Sequence, residues 1–172
     1  KRVVFTNEDM PQHLHLVQAD GTGYRQLTTG DERNRQGSWS PQGDWIAFQT
    51  NQGESSLAAI HPDGGARQPI AVGRGFTNPR WSPDGKALLT FNTGIGGMIL
   101  DLGAGFGSPV KQDLPPVSPG ALFWPIAWSP DGALVAGTAV NAGQVGDIHV
   151  WSVAERAYRR MPWNRGEQVD YS

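Results

Sequence analysis

The chain has 172 residues with 14 Lys plus Arg and 16 Asp plus Glu, a formal net charge of -2. That balance excludes the basic excess of a nucleic-acid binder, and no apolar run approaches the roughly 18 residues of a membrane span. The absence of cysteine excludes a disulfide framework, a thiolate metal site and a cysteine nucleophile, while 23 Gly and 13 Pro favour tight turns over long helices.

In chain order, "KRVVFTN" (1–7) is a β-branched and aromatic run ending at Asn7. "HLHLV" (13–17) reads as a strand, "ADGTG" as a turn and "YRQLT" (24–28) as a second strand. "GSWS" (37–40) is a short strand entering the turn Ser40-Pro41-Gln42-Gly43. Pro at the second position of such a turn presets φ, and Gly at the fourth accepts the exit geometry. "WIAFQ" (45–49) and "SLAAI" (56–60) are strands, "HPDGGA" is a turn, and "RQPIA" (67–71) is an outer strand whose Pro suits an edge. Trp81 leads into the same turn, Ser82-Pro83-Asp84-Gly85, and then "KALLTFN" (86–92). Residues 102–124 read as an insertion rich in Pro and Gly. Trp128 precedes a third copy, Ser129-Pro130-Asp131-Gly132. "DIHVW" (147–151) and "YRRM" (158–161) are strands, and "VDYS" (169–172) is a spare one.

These elements repeat. Trp39, Trp81 and Trp128 are spaced by 42 and 47 residues, and 43 further on stands Tyr171, with Ser172 after it. Asn7, Asn51, Asn92 and Asn141 mark a second register, each closing the first apolar run of its unit. Four units result: 1–43, 44–85, 86–132 and 133–172. Four short strands per unit of about 40 to 47 residues is the β-propeller pattern, in which each sheet covers its neighbour. The expected fold is therefore all-β, a propeller of four-stranded antiparallel blades. The repeated Trp is expected as a wedge between sheets, and the Asp of each Pro-Asp-Gly as a cap on its own turn.

The stretch 14–50, with Asp20-Gly21, Arg25-Gln26-Leu27-Thr28, Trp39-Ser40-Pro41 and Ile46-Ala47-Phe48, resembles a TolB-type, WD-repeat-like propeller repeat. Gln42 departs from the family's turn motif, where Asp is usual. The resemblance implies six to eight blades in a full ring and an extracytoplasmic, periplasmic location. It also implies a partner-binding, sensor or enzyme-associated role. With four units here, three arrangements stand open: a segment continued in a longer chain, two copies building an eight-bladed ring, or a four-bladed ring closed by "VDYS" and "RVVFT".

Enzyme signals are sparse. No Gly-x-Ser-x-Gly elbow occurs, and "GAGFGS" (103–108) misses the dinucleotide fingerprint at its last position. His13 and His15 lie two apart on an expected strand and so on one face, without a third ligand nearby. His61 sits in a turn, and His149 alternates outward on its strand. No catalytic residue, metal or cofactor is expected.

Binding is the better expectation. In a propeller the connections between blades and the Asn-led loops share one face, opposite the tight turns. Here that face carries Asp31, Arg33, Arg35, Arg74, Trp124, Trp163 and Arg165. Arg and Trp are enriched where partners bind, and loops on a rigid scaffold carry function. The expected role is a non-catalytic platform for a protein or peptide partner. The alternatives are an accessory propeller of an enzyme, of peptidase or channel-site lyase or hydrolase type, and a structural module for self-assembly.

Overall fold

A computed structural model describes residues 1–51, 56–73, 75–142 and 144–161. Among them it holds four antiparallel sheets and no helix. The first sheet has three strands, β1 (Arg2–Thr6), β2 (Leu14–Gln18) and β3 (Arg25–Gln26). The second has β4 (Asn34–Trp39), β5 (Ile46–Thr50), β6 (Ser56–Ile60) and β7 (Gln68–Ala71). The third has β8 (Phe76–Trp81), β9 (Ala87–Asn92), β10 (Gly96–Asp101) and β11 (Val110–Asp113). The fourth has β12 (Leu122–Trp128), β13 (Leu134–Asn141), β14 (Gln144–Ser152) and β15 (Ala157–Arg160). Strands follow chain order within every sheet, so each is an antiparallel meander and each crossing leads to the first strand of the next blade.

Period-two alternation assigns each residue of a blade to one of two seams. Ile46, Phe48, Ala58 and Ile60 of the second blade meet Leu14 and Leu16 of the first. Ala47, Leu57 and Ala59, on the opposite face, meet Leu88, Met98 and Leu100 of the third. Leu89 and Ile99 then meet Phe123, Val135 and Trp151 of the fourth. Middle blades therefore have no polar face, which explains the near-continuous apolar reading of "IAF" and "LL". Fully burying a Leu or Phe contributes about 1.5–3 kcal/mol, and every seam holds several.

The first strands carry the repeat's specific bonds. Trp81 Nε1 donates to the carbonyl of Ser38 at 3.1 Å, and Trp128 Nε1 to that of Arg80 at 3.3 Å. Each indole thus bonds the residue just before the preceding blade's Trp. All three Trp side chains are half-buried and pack against seam clusters. The turns close identically, with Gly43, Gly85 and Gly132 each donating N–H to Ser40, Ser82 and Ser129 at 2.9 Å. These glycines sit at φ 77, 74 and 72, a region that disfavours a Cβ.

Four sequence expectations change. Residues 102–124 are not only an insertion, because they supply the edge strand β11. His13 precedes β2 rather than lying in it, and both His13 and His15 are buried. "YRQLT" contributes only Arg25–Gln26 to its sheet. His149 does not face outward. It is 9% exposed, sits against the ring edge of Tyr158, and its Nδ1 lies 3.1 Å from the carbonyl of Asp147. "VDYS", the segment expected to close a four-bladed ring, lies outside the described residues, and among those described the outer faces of the first and fourth blades are uncovered.

Candidate partner-binding face

The crossing from β3 to β4 builds the most definite polar site on the varied loop face. Arg33 exchanges backbone bonds with Asn51: its N–H donates to Asn51 Oδ1, and its carbonyl accepts from Asn51 N at 3.1 Å. Arg35, two residues on and so on the same side of the chain, donates from Nε to Gln49 Oε1 at 2.9 Å. Gln49 is itself buried on β5, opposite Arg35 in the ladder. The four residues line a hollow of about 140 Å³. Both guanidinium groups are exposed, and neither meets a carboxylate among the described residues. The neighbouring Glu32 is occupied by Arg67 at 3.1 Å.

The other expected residues are more scattered. Asp31 is exposed on the same crossing. Trp124 lies on β12, two blades away, half-buried and stacked on Phe91 with centroids 4.8 Å apart and planes 9° apart. Arg74, Trp163, Arg165 and the repeat anchor Tyr171 lie outside the described residues. The first strands also meet on this face. Gln36 Oε1 accepts from Thr77 Oγ1 and from Asn78 N, both at 2.8 Å, tying two adjacent strands where each bulges. The sequence did not single out Gln49 or Gln36. Their register across the ladders is what places them, and no linear spacing encodes it.

A larger hollow lies on the opposite, tight-turn face, at the seam of the third and fourth blades. It measures about 430 Å³ and includes Asp84, Lys86, Asp101, Gln112, Trp128 and Asp131 in its wall. Its turn carboxylates are already engaged. Asp84 accepts from Ser82 Oγ at 2.6 Å and Lys86 N at 3.0 Å. Asp131 accepts from Ser129 Oγ at 2.5 Å and Ala133 N at 3.0 Å. The hydroxyl bond first, and the amide bond second, hold both carboxyls below the ordinary aspartate range. A general acid needs the opposite shift. The second blade reaches the same geometry differently: with Gln42 in the turn, Ser40 Oγ donates to Asp44 Oδ1 at 2.6 Å. Gln42 Nε2 instead reaches the carbonyl of Asp84, 3.2 Å away on the next blade.

Among the described residues no three His, Cys, Asp or Glu side chains are grouped to hold an ion. His15 stacks between Phe5 and Tyr24, centroids 5.5 Å from each, with Nδ1 2.9 Å from the Tyr24 hydroxyl. Burial first, and the nearby His13 second, hold its pKa below the ordinary histidine value.

Sheets in meander order, stacked about their first strands and pinned by a recurring Trp, define the β-propeller fold. No family model matches the chain. It is similar in structure to TolB from Acinetobacter baumannii, at TM-score 0.78 and 18% identity over 94% of this chain and 41% of that one. It is also similar to the β-propeller domain of Cps50 (Swd1) from Myceliophteria thermophila, at TM-score 0.70 and 12% identity, over 92% of this chain and 52% of that one. In sequence, 78 residues are 37% identical to dipeptidyl-peptidase 5 of Porphyromonas endodontalis, covering 44% of this chain and 11% of that protein. The chain thus spans about half or less of each of these three proteins.

Proposed function

We propose that this chain is a non-catalytic propeller scaffold that binds a protein or peptide partner through its varied loop face. The observation that carries this reading is the pair Arg33 and Arg35, exposed side by side over a small hollow with polar walls and no described carboxylate partner. Two guanidinium groups so placed suit a carboxylate-bearing peptide, because Arg binds carboxylates through paired N–H donors. Asp31, Arg74, Trp124, Trp163 and Arg165 would form the wider contact surface. An extracytoplasmic location goes with this reading, on the resemblance to TolB-type repeats.

Selection of a displayed random heptapeptide library on the immobilised chain tests it. Enrichment of peptides rich in Asp and Glu, lost with the double variant Arg33→Glu, Arg35→Glu, is the expected result. No acidic enrichment, or enrichment that survives the charge reversal, overturns the reading. The 78-residue match to dipeptidyl-peptidase 5 favours a second reading, an accessory propeller of a peptidase. A Gly-x-Ser-x-Gly segment encoded in the same gene would favour it.

A further inference from the structure

One position of the repeat decides what covers the Trp of the following blade. Ile46 and Leu88 stand opposite Trp39 and Trp81 in their ladders, and opposite Ile60 and Leu100 on the other side. Val3 holds the same place in the first blade: its partner Val17 lies three residues before Asp20-Gly21, as Ile60 lies three before Asp63-Gly64. Arg2, Trp45 and Ala87, one residue earlier, are therefore equivalent, and alternation turns all three toward the next blade. In the first seam the Arg2 guanidinium carbon lies 5.4 Å from the Trp39 ring centroid, and Nη1 lies 2.9 Å from Asp63. In the second, Phe106 sits edge-on to Trp45 and Trp81, with centroids 4.9 and 6.3 Å away. In the third, Ala87 offers only a methyl group, and among the described residues no ring or cation lies over Trp128. The loop that carries Phe106, residues 102–109, is also shortened in the fourth blade to residues 153–156. The hollow of about 430 Å³ at this seam is the space those two changes leave.

We propose that this hollow is a second binding site, which takes the guanidinium of an arginine side chain on a peptide partner, stacked on Trp128. The first seam supplies the precedent within the chain, since Arg2 occupies the same place over Trp39 and is held there by a carboxylate. A guanidinium over an indole face is attracted by the ring quadrupole, and its planar fork pairs with carboxylates at the same time. The wall carries three carboxylates, Asp84, Asp101 and Asp131, against one lysine, Lys86. Asp101 stands opposite Ala87 in the ladder, so it shares the face that looks onto Trp128. Its Oδ1 accepts from Gly103 N at 2.8 Å, as Oδ1 of Asp84 and of Asp131 serves its own turn. In all three, Oδ2 has no bond among the described residues. Nor does any of the three, or Lys86, enter an ion pair there. All four side chains are exposed, so an incoming side chain can reach them. The bond from Trp128 Nε1 to the Arg80 carbonyl fixes the plane of the platform before anything binds. The site lies on the face opposite Arg33 and Arg35 and is of opposite charge.

Titration of the isotope-labelled chain with the tripeptide acetyl-Ala-Arg-Ala-amide, followed by NMR, tests the proposal. The expected result is a saturable shift of the Trp128 indole N–H, assigned by its loss in Trp128→Phe. Ring-current shifts of the arginine side-chain protons should accompany it. Asp101→Asn, which keeps the acceptor for Gly103 N, is expected to weaken binding about fivefold, the worth of an exposed ion pair. Ala87→Trp, which puts the second blade's residue into the third, is expected to abolish binding. Asp101→Asn changes an exposed side chain, so its result stands whether or not Ala87→Trp folds. The double variant Arg33→Glu, Arg35→Glu should bind this tripeptide as the wild type does, which separates the site from the loop face. No saturable shift at Trp128 overturns the proposal. So does equal binding of tripeptides with citrulline or lysine in place of arginine, or a Kd that neither Asp101→Asn nor Ala87→Trp changes.

Discussion

Asp44 does for the second blade what Asp84 and Asp131 do for the third and fourth, from two residues further along. Asp44→Ala leaves the Ser40 hydroxyl without its acceptor and is expected to cost about 1 kcal/mol. Adding Gln42→Asp restores the acceptor at its usual place, so urea denaturation of the double variant should recover most of that loss. His15 sets a pH dependence of definite sign. Its folded pKa lies below its unfolded value, which is about 6.5. The unfolded chain therefore takes up the proton first on acidification. Stability from this group is complete above pH 6.5 and declines as pH falls from there to the folded pKa. His15→Gln is expected to flatten that decline, read as the shift of urea midpoints between pH 8 and pH 5.

At the scale of the strand, the indole bonds separate two otherwise equivalent tryptophans. Trp81→Phe deletes the indole's bond to the Ser38 carbonyl, an expected loss of about 1 kcal/mol beyond the change in packing. Trp39→Phe removes a buried donor that has no partner among the described residues, so it should cost less than Trp81→Phe. Equal losses would mean that residues outside the described ones satisfy Trp39 Nε1. The strands that were legible in sequence carry Trp-Ser-Pro, the closing Asn or an apolar run. β11 was not, because Val110–Asp113 is an edge with little burial and no alternation to betray it. His149 was misplaced because simple alternation on β14 does not show that Tyr158, from β15, closes over it. Of the loop-face site, Arg33 and Arg35 were legible as neighbours two apart. Gln49 enters only through the ladder between β4 and β5.

For the molecule as a whole, repetition in sequence gave the blade and its order, since each unit contacts chiefly its neighbours. It left the number of blades in a ring open, because the curvature of a stack follows from small rotations per unit that no single motif encodes. The same repetition has a direction. In each indole bond the acceptor is made earlier in the chain than the donor: Ser38 before Trp81, Arg80 before Trp128. A ribosome releases the chain in that order, so every new blade emerges toward a docking edge already in place. Assembly should proceed blade by blade in chain order. Arrested nascent chains exposing residues 1–114 should already protect Trp81 from proteolysis and quenchers, whereas a fragment starting at Phe76 should leave the same indole unprotected.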